Sequence, residues 1–350
     1  MNKAALEEAV LPPLVALLLA AVVGDVLILS FGQSPGAVFK LLLDGTWGNA
    51  YGFGQVLYKA TTLTFTGLAV GLGLRAGLFN IGAESQLAAG GFCAALVGML
   101  LPPGIPALLC LPIYMLAAGI GGGAVGAVPG VLKAKFGAHE VIVTIMLNFI
   151  VLALLNYLTS AKVHVPDTLH TPELQSGALP RLGDAFGPFH GSAANATILL
   201  ALVTAIALGW YLFRTRRGFE LRAVGLQPRA AEYAGVDVAG VTWRALAVSG
   251  AIAGLGGLNY VLGYKHYYEE GFATGAGFLG IAVALVGRSH PIGIVLAALL
   301  FATLSQGGLA VNALVPKQMV DVLQAVVILA VATSVPEVRR LLRARRSVEA

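Results

Sequence analysis

The 350-residue chain is 57% hydrophobic and only 11% charged, with a mean hydropathy of +0.84. Water-soluble domains carry about a quarter charged residues, so this composition excludes an ordinary soluble globule and leaves lipid as the surrounding medium. The formal net charge of +5 does not point to nucleic acid, because the basic residues sit in short loops between apolar runs.

A bilayer core about 30 Å thick takes roughly 20 apolar residues per helical span, and the apolar runs predict ten. They cover approximately 11–31, 56–74, 80–101, 106–130, 140–160, 194–213, 242–262, 273–287, 291–311 and 318–335. The first run follows Lys3 and reads as an uncleaved span. Asp25 lies inside it, as a hydrogen-bonding group at a helix interface. The 45 glycines suit close helix packing. Cys93 and Cys110 fall in separate apolar stretches and read as small buried hydrophobes.

Lysine and arginine bias orients such a chain. With the N-terminus placed in the cytoplasm, 16 of the 22 basic residues fall inside, including Arg75, Lys133, Arg222, Arg288 and five arginines from Arg339 to Arg346. Lys40, Lys59, Lys162, Arg181, Lys265 and Lys317 fall outside, and both termini come out cytoplasmic. Residues 161–193 form an external loop with four prolines, ordered enough to meet a binding protein. The cytoplasmic stretch 214–240 contains Pro228 and, seven residues on, Gly235, which suit the start and end of a short helix. That helix reads either as a transmitter of motion or as a plain basic loop. An internal echo links Gly67-Leu-Ala-Val, leading to Arg75, with Gly280-Ile-Ala-Val, leading to Arg288. The chain lacks any Gly-Lys pair, hence any phosphate-cradling Gly-x-x-x-x-Gly-Lys loop.

Four runs carry a resemblance. Arg75-Ala-Gly-Leu-Phe-Asn-Ile-Gly-Ala-Glu-Ser-Gln86 closely resembles the "FNIGAEGQ" signature of nucleoside and simple-sugar ABC importer permeases, within the ribose and branched-chain amino-acid permease superfamily. Glu140 to Asn148 is similar to that family's "EVIxTxMLN", and Gly277 to Gly293 to its "GFxGIAVALLGxxxPxG". Arg222 to Gly235 resembles its coupling loop, "RAxGxNxxAAxxxG". Ser85, Gln227 and Leu279 depart from the usual pattern.

The resemblance implies an all-α, polytopic, type II-like permease of about ten spans in the bacterial plasma membrane, surrounded by lipid. It also implies two separate ATP-binding subunits that hold ATP and Mg, no cofactor on this chain, a second permease subunit (paralogue or self) and an extracytoplasmic solute-binding protein. Arg222, Gly225, Pro228, Ala230, Ala231 and Gly235 then form the coupling segment. Among polar groups at membrane depth, Asn80, Glu84, Gln86, Thr144, Asn148 and Gln306 are candidates to line the solute pathway, with interhelical hydrogen bonding the competing role. Gln306 and Asn259 are weaker candidates, and Asn156 lies two turns beyond Asn148 on a nearby face. The competing class is an ion-coupled secondary transporter, for which Asp25 and Glu84 are the available acids; scattered histidines and the absence of a catalytic constellation argue against an enzyme.

Overall fold

The computed structural model describes residues 3–316 and 318–330, with side chains from Val15 onward except at 16 and 17. Their regular structure is helical: α1 Lys3–Ser30, α2 Pro35–Asp44, α3 Ala50–Arg75, α4 Ala83–Leu100, α5 Ala107–Phe136 and α6 Glu140–Leu158. After a π turn at Thr159–Val163 come α7 Leu182–Ala185, α8 Thr197–Arg214, α9 Arg216–Leu226, α10 Pro228–Tyr233 and α11 Val238–Val261. The last three are α12 Ala276–Val286, α13 Pro291–Val311 and α14 Gln318–Ala330.

Every predicted span coincides with a helix, but not every helix is a full span. Six (α4, α5, α6 with its π turn, α8, α11 and α13) are long and apolar enough to cross a membrane. A seventh arises if α1 and α2, bent by 112° at their junction, count together. Helix α12, at 11 residues, rises only about 16 Å, half a bilayer core. The sequence reading missed α2, whose Lys40 and Asp44 interrupt the apolar pattern. Arg339 to Arg346 and the end of the predicted 318–335 span lie outside the described residues.

Helix α3 has the length of a span yet is not uniformly apolar. Its hydroxyls need no water: Thr61 donates to the Leu57 carbonyl at 2.8 Å and Thr64 to Ala60 at 2.7 Å. Back-bonding of this kind satisfies a hydroxyl inside a low-dielectric interior.

The described residues divide into two compact units, one of those up to 53 together with those from 303 onward, and one of 54–302. In the first, Ile28, Val38, Leu42, Val311, Val315 and Val320 form an apolar core. In the second, α4, α5 and α11 pack through glycine. A Cβ on Gly122 would lie 2.3 Å from the Gly250 carbonyl oxygen, and one on Gly254 would lie 2.3 Å from that of Ala118. Only glycine permits backbones this close, and in lipid such close packing replaces the hydrophobic effect as the cohesive force.

The segment before α8 is held against the chain that follows α11. Thr171 N–H donates to the Tyr268 carbonyl at 2.9 Å, Leu174 to His266 at 2.8 Å and Leu179 to Leu262 at 2.9 Å. Tyr114 donates its hydroxyl to the Ser176 carbonyl at 2.6 Å. Burial, and secondarily the nearby Arg181, lowers the His266 pKa from the usual histidine value.

Candidate transport pathway and coupling surface

Between α3 and α4 the helix breaks over Ala76 to Gly82, opening with Gly77 at φ +71. A break frees backbone groups that lipid cannot satisfy, and the predicted polar residues supply the partners. Asn80 Nδ2 donates to Gln86 Oε1 at 2.8 Å and to Ser249 Oγ of α11 at 2.8 Å. Gln86 Nε2 returns a bond to Asn80 Oδ1 at 3.1 Å, and the same oxygen accepts from Gly82 N–H at 3.0 Å. Ser249 Oγ in turn donates a hydrogen bond to the Ala69 carbonyl at 2.6 Å.

Helix α6 grips the same break from another side. Asn148 Nδ2 donates to the Ile81 carbonyl at 2.9 Å, and its Oδ1 accepts from Ser85 N–H at 3.1 Å. Thr144 Oγ1 accepts from Ile81 N–H at 3.4 Å. Asn80, Gln86, Thr144 and Asn148 are all buried. The structure therefore brings these four residues into one network, directed at each other and at backbone. Gln306 lies half-buried on α13, in the compact unit that contains α2.

Glu84 sits one residue into α4 and is only 6% exposed. The short helix α12 begins against it: a Cβ on Gly277 would fall 2.3 Å from Glu84 N. Backbone N–H groups of Gly275, Gly277 and Phe278 face its carboxylate, while Oε2 makes no hydrogen bond among the described residues. Glu84 thus stands at two helix N-termini at once, where partial positive charge favours an anion.

Beside it opens a cavity of about 270 Å³, lined by Glu84, Asn156, Tyr268, Glu270, Phe272 and Thr274 among others. Tyr268 meets Phe92 and Phe272 edge to face, at 5.2 and 5.4 Å. Phe272 stacks on Tyr260 at 4.7 Å, and Tyr260 donates its hydroxyl to Glu269. Sequence reasoning missed Tyr268, Glu270 and Phe272, because they lie on an irregular stretch between α11 and α12 that shows no period. A second buried amide pair was half-seen: Asn259 donates to the Tyr58 carbonyl at 2.9 Å and to Thr62 Oγ1 at 2.8 Å, and accepts from Asn195 at 3.0 Å. Asp25 Oδ1, in α1, is buried with no partner among the described residues.

At the other end of α8 stands the segment α9–α10. Thr215 caps α9, accepting from Gly218 N–H at 3.0 Å. Pro228 opens α10, and Gly235 closes it at φ +82. The pair is fixed at Gly225, where a Cβ would lie 2.2 Å from the Arg75 carbonyl oxygen. Arg222 lies over the Phe213 ring at 5.3 Å, and Arg75 lies over it at 5.7 Å. Ala231 is buried, whereas Pro228, Arg229 and Ala230 are exposed and Tyr233 is 95% exposed. The free face of α10 is therefore the one carrying Arg229, Ala230 and Tyr233. A hollow of about 470 Å³ lies between α10, the 76–78 break and the start of α11.

Residues 52–332 match the family described as branched-chain amino acid transport system / permease component. The chain is 37% identical to the guanosine ABC transporter permease protein NupP of Bacillus subtilis, covering 93% of both chains. It is 33% identical to the nucleoside ABC transporter permease protein NupB of Lactococcus lactis, over 92% of this chain and 90% of that one. A glucose ABC transporter permease protein of Haloferax volcanii, TsgB13, is also 33% identical, over 92% and 87%. Bacillus subtilis also has a second guanosine ABC transporter permease protein, NupQ, 28% identical over 70% of this chain and 77% of its own. No solved structure gives a significant match. The four quoted motifs, the broken helix they stabilise and these likenesses agree: the chain is a multi-pass ABC transporter permease, a transport subunit and not an enzyme, and belongs to the branched-chain amino acid transport permease family.

Proposed function

We propose that this chain carries nucleosides inward across the bacterial plasma membrane, as one of two permease subunits driven by separate ATP-binding subunits. The observation that carries the reading is the cavity beside Glu84. Its wall combines aromatic rings (Tyr268, Phe272) with amide and carboxylate groups (Asn156, Glu270). A nucleobase presents an apolar face to such rings, and its edge and ribose hydroxyls present donors to the acids and amide. Two of the relatives named above transport guanosine or nucleosides by their printed names, and a third transports glucose. Glucose has no flat π face, so the aromatic wall favours the nucleoside.

The Asn80–Gln86–Thr144–Asn148 network supports the pathway by holding the helix break that bounds it, while Glu84 faces the cavity itself. Segment α9–α10 serves as the docking surface for an ATPase. Arg222, Gly225, Pro228, Ala231 and Gly235 set its shape, and Ala230 stands on the exposed face. ATP and Mg belong to that partner. The pairing of NupP with NupQ in one bacterium supports a paralogous second permease, since this chain is nearer the first than the second. Positive charge concentrated near α9–α10 supports a cytoplasmic location for that end and for both termini. A solute-binding protein would then meet the opposite face, where residues 164–196 pack on the chain after α11.

The test is competition. In vesicles holding the assembled transporter, uptake of labelled guanosine should be suppressed by unlabelled adenosine or guanosine and unaffected by equal glucose. Suppression by glucose alone would remove the nucleoside assignment.

A further inference from the structure

Helices α8 and α11 run side by side with a groove of about 560 Å³ between them, lined by Leu208 and Tyr211 on one wall, Val248 and Ile252 on the other, and Arg217 and Arg244 at one end. The spacing on α11 (244, 248, 252) places one residue per turn on a single face, so the groove extends about 12 Å along the helix from its charged end. The apolar length and the cationic end are therefore one continuous feature.

We propose that this groove holds an anionic phospholipid, with the phosphate between Arg217 and Arg244 and an acyl chain along Leu208, Val248 and Ile252. Charge is the first support. The ion pairs Lys133–Glu140 and Arg216–Glu220 include neither Arg217 nor Arg244. Glu220 borders the same region but is held by Arg216 at 2.9 Å. Three arginines against one glutamate leave a local excess of two positive charges, and both groove arginines are exposed.

Depth is the second support. Arg217 follows the end of α8 and Arg244 lies in the second turn of α11, so the cationic end stands at the rim of two membrane helices. Exposed Trp210 and Trp243 flank it, and Arg244 lies 5.6 Å from the Trp243 ring centre. Tryptophans of this kind mark the headgroup level of a bilayer. Arginine presents a planar fork to a phosphate, and the Tyr211 phenol lies within electrostatic reach of Arg217. Basic pockets between membrane helices favour anionic headgroups over zwitterionic ones. The site adjoins α9, so a bound lipid would brace the segment assigned above to docking, although its occupancy does not depend on which solute is carried.

Native mass spectrometry of the full transporter complex, released from detergent with added phosphatidylglycerol or phosphatidylcholine, tests the proposal. The complex should retain phosphatidylglycerol and not phosphatidylcholine. The double variant Arg217→Gln, Arg244→Gln should retain about thirtyfold less phosphatidylglycerol. Both side chains are exposed, so the variant keeps its fold, and an unchanged thermal midpoint verifies that. Val248→Phe, which fills the groove and leaves both arginines in place, should also lower retention. Equal retention of the two lipids, or retention unaltered in the double variant, overturns the proposal. Loss of binding in the double variant but full retention in Val248→Phe would mean a surface phosphate contact only, and overturns it equally, as would displacement of phosphatidylglycerol by inorganic phosphate alone.

Discussion

Arg75, the last residue of α3, donates from Nε to the Ser289 carbonyl at 2.9 Å and from Nη2 to the Arg288 carbonyl at 3.2 Å. Both acceptors belong to a turn whose two residues sit at positive φ, +54 and +50. Non-glycine residues in that region are strained, and the guanidinium holds the turn that joins α12 to α13. The echoed segments also touch further along. A Cβ on Gly67 would fall 2.7 Å from Val283, and one on Gly280 would fall 2.5 Å from Thr66. The repeated Gly-x-Ala-Val pattern thus marks the crossing of α3 and α12.

Replacing Arg75 with Gln removes two charge-assisted bonds and frees the strained turn. A loss of about 2 kcal/mol is expected, read as a lower thermal midpoint of the detergent-solubilised protein. An unchanged midpoint would show that the turn holds itself.

Gly254→Val should prevent compact folding, because its Cβ would occupy space 2.3 Å from the Ala118 carbonyl oxygen. Backbone, unlike a flexible side chain, cannot yield that far. Size-exclusion profiles should show aggregate for this variant and a single peak for Gly119→Ala, where a Cβ meets nothing within 4 Å.

Glu84 separates two effects. Glu84→Ala leaves the N–H groups of Gly275, Gly277 and Phe278 facing an empty space and should cost about 1–3 kcal/mol. Glu84→Gln keeps the shape and an acceptor, so most of the stability should remain. Thermal midpoints of the two variants would settle this, equal losses being the adverse outcome.

His266 gives the pH prediction. Its folded-state pKa is lowered by burial and then by Arg181, so the folded state favours the neutral ring. The stability it contributes is complete above the unfolded value near 6.5 and declines as pH falls below that toward the folded value. Protection of the Thr171, Leu174 and Leu179 amides against hydrogen exchange should therefore weaken on acidification from pH 7 to 5.5. In His266→Gln the weakening should be smaller.

Span positions were legible because apolar runs and glycine content report on lipid directly. The 228–234 helix was legible from Pro228 and Gly235, which match its observed start and end. Which face of it is free was not. Ala231 reads as a docking residue in sequence but is buried in the fold, since a six-residue helix shows too few turns to reveal its face. Substitution of Ala231 would disturb how α10 is seated, and Tyr233 is the better probe of a partner. Asn80, Gln86, Thr144 and Asn148 were legible as polar groups at depth; that Asn80 and Gln86 bond to each other while Thr144 and Asn148 reach from α6 to the backbone of Ile81 and Ser85 depends on long-range packing that no local spacing encodes.

Under the function proposed above, solute movement through this chain is powered through α10 by a separate ATPase. The direct measurement is labelled guanosine uptake in vesicles containing this chain, its second permease and the ATP-binding subunits, with ion gradients collapsed. Uptake is expected only with ATP and all chains present, with loss of both uptake and ATPase co-purification in Tyr233→Glu while membrane insertion stays intact. Uptake by this chain alone under an ion gradient, or full uptake in Tyr233→Glu, would contradict it.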